Sequence, residues 1–123
     1  MAEKVFEVSM AVTEEKTAKA MGSGDLPVLA TPAMIALMEN AAMQCVAAEL
    51  EDGMTTVGVH MNAEHNKATA VGKTVMARAT LNSQEGRSYV FMVEAFEDGV
   101  QIGVGEHTRV AVNAERFLAK LAK

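Results

Sequence analysis

Apolar positions along this chain follow two different periods. From Ala30 to Leu50, ATPAMIALMENAAMQCVAAEL is apolar nearly all the way round. Such a stretch predicts a helix buried in the fold rather than laid on its surface. Elsewhere the period is two. Phe6, Val8, Met10 and Val12 alternate in residues 4–12, which predicts a half-buried strand. TTVGVHMNAEH predicts a second strand over 55–65, and KTVMARATLNSQ a third with Val75, Ala77, Ala79 and Leu81 on one face. RSYVFMVEAFE and VQIGVGEHTRVAV complete the set.

Local signals punctuate these runs. Thr31 is placed to cap the long helix and Pro32 to occupy its first position, where a missing N–H costs nothing. Gly53 suits the residue just beyond its end. Thr13 can cap a short helix, EEKTAKAMG. The following GSGDLPVLA, residues 22–30, is a loop placed to act as a lid. Glu85-Gly86 and Asp98-Gly99 turn successive strands into hairpins. Gly103 and Gly105 predict a bulge or a close backbone approach, and Asn113 caps a closing helix, AERFLAKLAK. One long helix with a meander of antiparallel strands is an α+β layout of about five strands, curled around the helix. No linker or repeat divides residues 1–123, so a single domain is expected.

Composition narrows the function. With 16 acidic and 11 basic residues the net charge is −5, which argues against a general nucleic-acid binder. Ten methionines and five aromatics predict an adaptable, Met-rich core, pocket or subunit interface. The single cysteine, Cys45, lies in the apolar helix and reads as an inert small hydrophobe. No apolar run is long enough to span a bilayer and the N-terminus lacks a leader-like segment, so a cytoplasmic protein without membrane contact is the expectation.

Chemistry concentrates at few positions. Glu39 is the one carboxylate within the apolar helix, costly there unless paired, neutralised or used as a general base. Thr31 stands at a helix N-terminus, where free N–H groups favour an oxyanion. His65 ends a predicted strand, and His60, five residues earlier, points to the opposite face. His107 lies in the last strand. No HExxH or CxxC spacing occurs, so no metal is expected. Thr31 and Glu39 are about 12 Å apart along the helix axis and rotated by roughly 80°. They cannot address one atom alone, so a histidine or a second subunit must complete a site between them.

These features resemble the hotdog fold and, more closely, the fluoroacetyl-CoA thioesterase family. The similarity runs from LPVLATPAMIALMENAA through VGVHMNAEHNKATAVGKTV and SQEGRSYVFMVEAFEDG to IGVGEHTRVAVNAERFLAK. That family carries a Thr, a Glu eight residues later and a His in an H-x-x-A-T loop, and Thr31, Glu39 and His65 match by type and spacing. The resemblance implies hydrolysis of a small acyl-CoA thioester by this set at a subunit interface. It implies a homodimer or higher homo-oligomer, and no cofactor beyond the CoA of the substrate. Leu29, Gly72 and Arg109 are the implied substrate-binding residues, with Lys67, Lys73, Arg78 and Arg87 as candidates for the CoA phosphates. Before Thr31 the family's fluoroacetate-specific member has lid aromatics, whereas this chain has Leu26, Pro27, Val28 and Leu29, so fluoroacetate specificity does not carry over. An enoyl-thioester hydratase or dehydratase, or a non-catalytic acyl-CoA or small-ligand binding protein, are the competing readings.

Overall fold

The computed structural model describes residues 4–122. Strand β1 (Val5–Ala11) leads through a 3-10 turn to a short helix α1 (Ala18–Met21) and the long helix α2 (Thr31–Ala47). Strands β2 (Met54–His65), β3 (Thr74–Glu85), β4 (Ser88–Glu97) and β5 (Val100–Asn113) follow, and α3 (Ala114–Leu121) closes the fold. The strands form one antiparallel sheet in the order β1-β3-β4-β5-β2. All five contact α2, so the sheet wraps the helix as the resemblance implied. β2, twelve residues long, is left as an edge strand.

The alternation read from sequence sets the core. Val75, Ala77, Ala79, Phe91, Val93, Ala95 and Ile102 are fully buried against Met34, Met38, Ala41, Ala42 and Val46 of α2. Small residues on β3 let the helix come close, and two methionines fill the irregular space left over.

Several boundaries differ from expectation. Ala30, not Thr31, is the N-cap of α2, so Pro32 is the second helical residue and the Thr31 hydroxyl makes no cap bond. Gly53 does not close α2, which ends with Ala48 as its cap. Its left-handed φ of 84° serves the turn into β2, where its carbonyl accepts from Ala114. Nor is α2 buried all round: Ala36, Asn40 and Gln44 form an exposed stripe four residues apart. Thr13 makes no side-chain cap, and Thr17 caps α1 instead, accepting from Ala20 N–H at 3.1 Å. The reason is that Thr17 bridges Leu29, which breaks the predicted helix in two.

Gly103 and Gly105 lie in regular register with β2 and mark close approach rather than a bulge. A Cβ at Gly103 would sit 2.5 Å from Met34 Sδ, and one at Gly105 would meet the backbone of Asn62 and Ala63. The bulges fall between Gly58 and His60 on β2, between Leu81 and Ser83 on β3, and around Ile102 on β5. Lys123, the last residue of the expected closing helix, and the first three residues of the expected domain lie outside the described residues.

Candidate active site

Freed from capping, the Thr31 side chain points to the end of β2, where its Oγ1 lies 2.8 Å from His65 Nδ1. His65 Nε2 is buried and has no hydrogen-bond partner among the described residues. Burial pushes the His65 pKa below its ordinary 6.5, with the Lys67 backbone opposing part of the shift. The neutral ring therefore has one nitrogen free to accept, and Thr31 O–H donating to Nδ1 is the arrangement that polarises the hydroxyl.

A cavity of about 240 Å³ opens beside this pair, lined by Val28, Leu29, Thr31, His65, Asn66 and Lys67 among others. Its wall is fixed. Leu29 is only 2% exposed, its N–H donates to the Thr69 carbonyl at 2.9 Å, and Val28 bridges Ala70. The loop expected to act as a lid is thus pinned at its inner end, and the Leu26 carbonyl accepts from Lys19 N–H at 3.1 Å although its side chain is 64% exposed.

Glu39 belongs to a second cluster. A methyl built at Gly58 would lie 3.0 Å from Glu39 Oε2, 3.0 Å from His107 Cε1 and 3.4 Å from Arg109 Nη1, so three functional groups converge on the space that this glycine leaves open. Its backbone needs no positive φ; the glycine is there for room. Arg109 is buried and anchored on Thr56, with Nε donating to Oγ1 and Nη2 to the carbonyl, both at 2.8 Å. Its Nη1 donates to His107 Nε2 at 3.2 Å. Since arginine can only donate, His107 Nε2 accepts, and Nδ1–H donates to the His60 carbonyl at 2.8 Å. Burial lowers the pKa of His107, which fits that neutral tautomer, and the Arg109 charge pushes the same way while Glu39 opposes it. Burial also lowers Arg109, against a pull upward from Glu39.

The chain thus brings Thr31, His65 and Leu29 together, and Glu39 and Arg109 together, but joins no side chain of one group to the other by a hydrogen bond or ion pair among the described residues. Gly72 lies with neither. Its φ of 96° in the turn between β2 and β3 explains the glycine without a ligand. Arg78 is engaged by Glu7 at 2.7 Å and lies over Phe96. Lys67 lines the Thr31 cavity. Sequence reasoning gave His107 no role. Its alternation with Arg109 and Ala111 on the core-facing side of β5 was the signal that it is buried and used.

Comparison with known proteins identifies the family. The profile of the family described as "FlK: Fluoroacetyl-CoA-specific thioesterase" matches residues 12–115. The fluoroacetyl-CoA thioesterase of Streptantibioticus cattleyicolor is 38% identical over 94 residues, covering 76% of this chain and 68% of that protein. A crystal structure of the fluoroacetyl-CoA thioesterase FlK superposes with a TM-score of 0.92 at 32% identity, over 99% of this chain and 95% of that one. Single-residue mutants of that enzyme have been solved with acetyl-CoA and with fluoroacetate and CoA. A thioesterase superfamily member from Thermus thermophilus matches at 27% identity and a TM-score of 0.90, over 99% of this chain and 90% of that one. This chain belongs to the fluoroacetyl-CoA-specific thioesterase family and is a hotdog-fold thioesterase.

Proposed function

We propose that this protein hydrolyses a small acyl-CoA thioester to the free acid and CoA, with Thr31, His65 and Glu39 as its catalytic set at a subunit interface. The 2.8 Å approach of Thr31 to His65 carries the reading. A threonine hydroxyl alone is a poor nucleophile, and a neutral imidazole in contact with it supplies the missing base. Thr31 Oγ attacks the thioester carbonyl carbon as its proton passes to His65 Nδ1. When the tetrahedral intermediate collapses, the C–S bond breaks and the CoA sulfur takes that proton. An acyl-threonine ester remains. Glu39 takes a proton from water as its oxygen attacks the ester carbonyl. The C–O bond to Thr31 then breaks, and the proton that Glu39 took passes to the threonine oxygen as the acid leaves.

Glu39 cannot serve this step from within one chain without a shift, which favours a site completed by a second copy. The opening at Gly58 lies on the exposed outer edge of β2, with Val59 beside it 59% exposed. A long unpaired edge is a template for strand pairing, and a two-fold through its centre would bring a second Glu39 cluster to the seam. The homodimer follows from that pairing. Leu29 and Val28 shape the acyl end of the cavity, whose volume of about 240 Å³ suits a short acyl group.

The test is a panel of short, branched and aromatic acyl-CoAs assayed for thiol release, on the wild type and on Glu39→Gln. Hydrolysis predicts sustained thiol release that Glu39→Gln reduces to at most about one equivalent per site, because the acyl-threonine then forms but is not hydrolysed. Consumption of an enoyl thioester without thiol would instead identify a hydratase, and saturable binding without turnover a binding protein.

A further inference from the structure

A second cavity, of about 180 Å³, lies between the β3–β4 turn and α3, lined by Arg87, Val112, Asn113, Arg116, Phe117 and Lys120. Three cations and no carboxylate line it, in a chain where acids outnumber bases by 16 to 11. Among the described residues the ion pairs engage Lys4 and Arg78, and none engages Arg87, Arg116 or Lys120. The Asn113 side chain caps α3 by accepting from Arg116 N–H at 2.9 Å, which fixes the helix at its base. Helical spacing then sets Asn113, Arg116, Phe117 and Lys120 along one face. α3 buries none of its residues, so packing gives no reason for this gathering of like charges. Phe117, 39% exposed, stands among them with an accessible ring.

We propose that this cavity binds a phosphorylated adenosine, with Arg87, Arg116 and Lys120 holding the phosphates and Phe117 stacking on the base. Guanidinium groups suit phosphate because their paired N–H donors match two oxygens at once. An aromatic face beside them is what separates a nucleotide from a simple anion. Two sources share this chemistry: the nucleotide end of the CoA substrate, which rests on the thioesterase reading, and a free adenine nucleotide. For the first, Asn113 pairs with Met54 and so lies about 36 Å along β2 from His65, too far for one pantetheine arm, and the arm runs instead to the Thr31–His65 pair of a second copy joined along the β2 edge.

Calorimetric titration with adenosine 3′,5′-bisphosphate and with ADP, on the wild type and on Arg116→Gln/Lys120→Gln, tests the site. Both substitutions are exposed, and circular dichroism checks that α3 persists. Binding to the wild type that weakens about 10²–10⁴-fold in the double variant is expected, the range set by loss of two charged hydrogen bonds. No binding to the wild type, or equal affinity in both, overturns the proposal. Phe117→Leu should weaken the nucleotides while leaving inorganic pyrophosphate unaffected; equal losses for both would remove the base from the assignment. Kinetics separates the sources. If the ligand is the substrate's own nucleotide, the double variant raises KM for acyl-CoA at constant kcat and leaves the acyl-N-acetylcysteamine thioester unaffected. If it is a free nucleotide, neither KM moves although nucleotide binding is lost. A wild type that releases no thiol overturns the thioesterase reading alone, because the titrations still decide this site.

Discussion

Thr31 and His65 are 34 residues apart in sequence, yet Oγ1 and Nδ1 stand 2.8 Å apart, and the other ring nitrogen is buried without a partner among the described residues. A side chain held this way is organised for proton transfer rather than for stability. Thr31→Ala and His65→Gln should each lower kcat/KM by about 10²–10⁴-fold, the usual worth of a positioned acid–base partner. Thr31→Ser, which keeps the hydroxyl, should retain more activity than Thr31→Ala. Acyl transfer through Thr31 also predicts a trapped acyl-enzyme in rapid-quench mass spectrometry, its label lost in Thr31→Ala. If Thr31→Ala keeps wild-type turnover, the hydroxyl has no part in the chemistry.

The pH profile should report the same histidine. Burial holds His65 below 6.5, so the neutral, accepting ring already dominates at neutral pH. The rate should rise from acid through that lowered pKa and be level above 6.5. Stability has the same sign. The unfolded chain protonates His65 and His107 near 6.5, whereas folded they take protons only at lower pH. In between, the unfolded state binds more protons, so folding stability falls as pH drops below 6.5. Thermal melts from pH 8 to pH 5 should show that fall, reduced in His107→Gln. A melting temperature that rises with acid over that range would contradict the burial of both rings.

Much of this was legible in the chain. Alternation in β3 named Val75, Ala77 and Ala79 as core, and all three are buried, because side chains of a regular strand have only two directions. Thr31 and His65 were visible through their family spacing. What stayed hidden depended on long-range pairing. Thr31 looked like a cap because threonine before proline commonly is one, and only the approach of β2 gives its hydroxyl a different partner. The lid was misjudged for the same reason: two Gly and a Pro suggest a free loop, while bridges from Leu29 to Thr17 and from Val28 to Ala70 fasten it. His107 required the register of β5 against β2 to reveal its bond to the His60 carbonyl.

Two glycines should behave in opposite ways. At Gly58 an added methyl meets side-chain ends, Glu39 Oε2 and His107 Cε1 at 3.0 Å, which can give by tenths of an ångström. Gly58→Ala should therefore cost less than about 1 kcal/mol in stability but disturb the Glu39–Arg109 space and reduce kcat/KM. At Gly105 the methyl would strike the Asn62 carbonyl and Ala63, which are backbone and cannot retreat without moving β2. Gly105→Ala should cost about 1–3 kcal/mol. Denaturant melts together with initial rates separate the two; a stable, fully active Gly58→Ala would remove that opening from the site.

The edge of β2 gives the last prediction. Its centre, Gly58-Val59-His60, is exposed, and the bulge there leaves Val59 outside the pairing with β5. A lysine on an edge blocks strand addition by placing a charge where a partner strand must pack. Val59→Lys should shift the protein toward monomer in sedimentation while preserving its far-UV dichroism. If the catalytic set is shared across that seam, activity should fall along with dimer content. Hybrid dimers make the sharing measurable. Thr31→Ala and Glu39→Gln are each expected to be inactive, but in a mixture the hybrid regains one intact site if each site takes Glu39 from the opposite chain. Random exchange should then restore about a quarter of wild-type turnover. If each site uses residues of one chain alone, the mixture stays inactive, and Glu39 must reach Thr31 by a movement within its own chain.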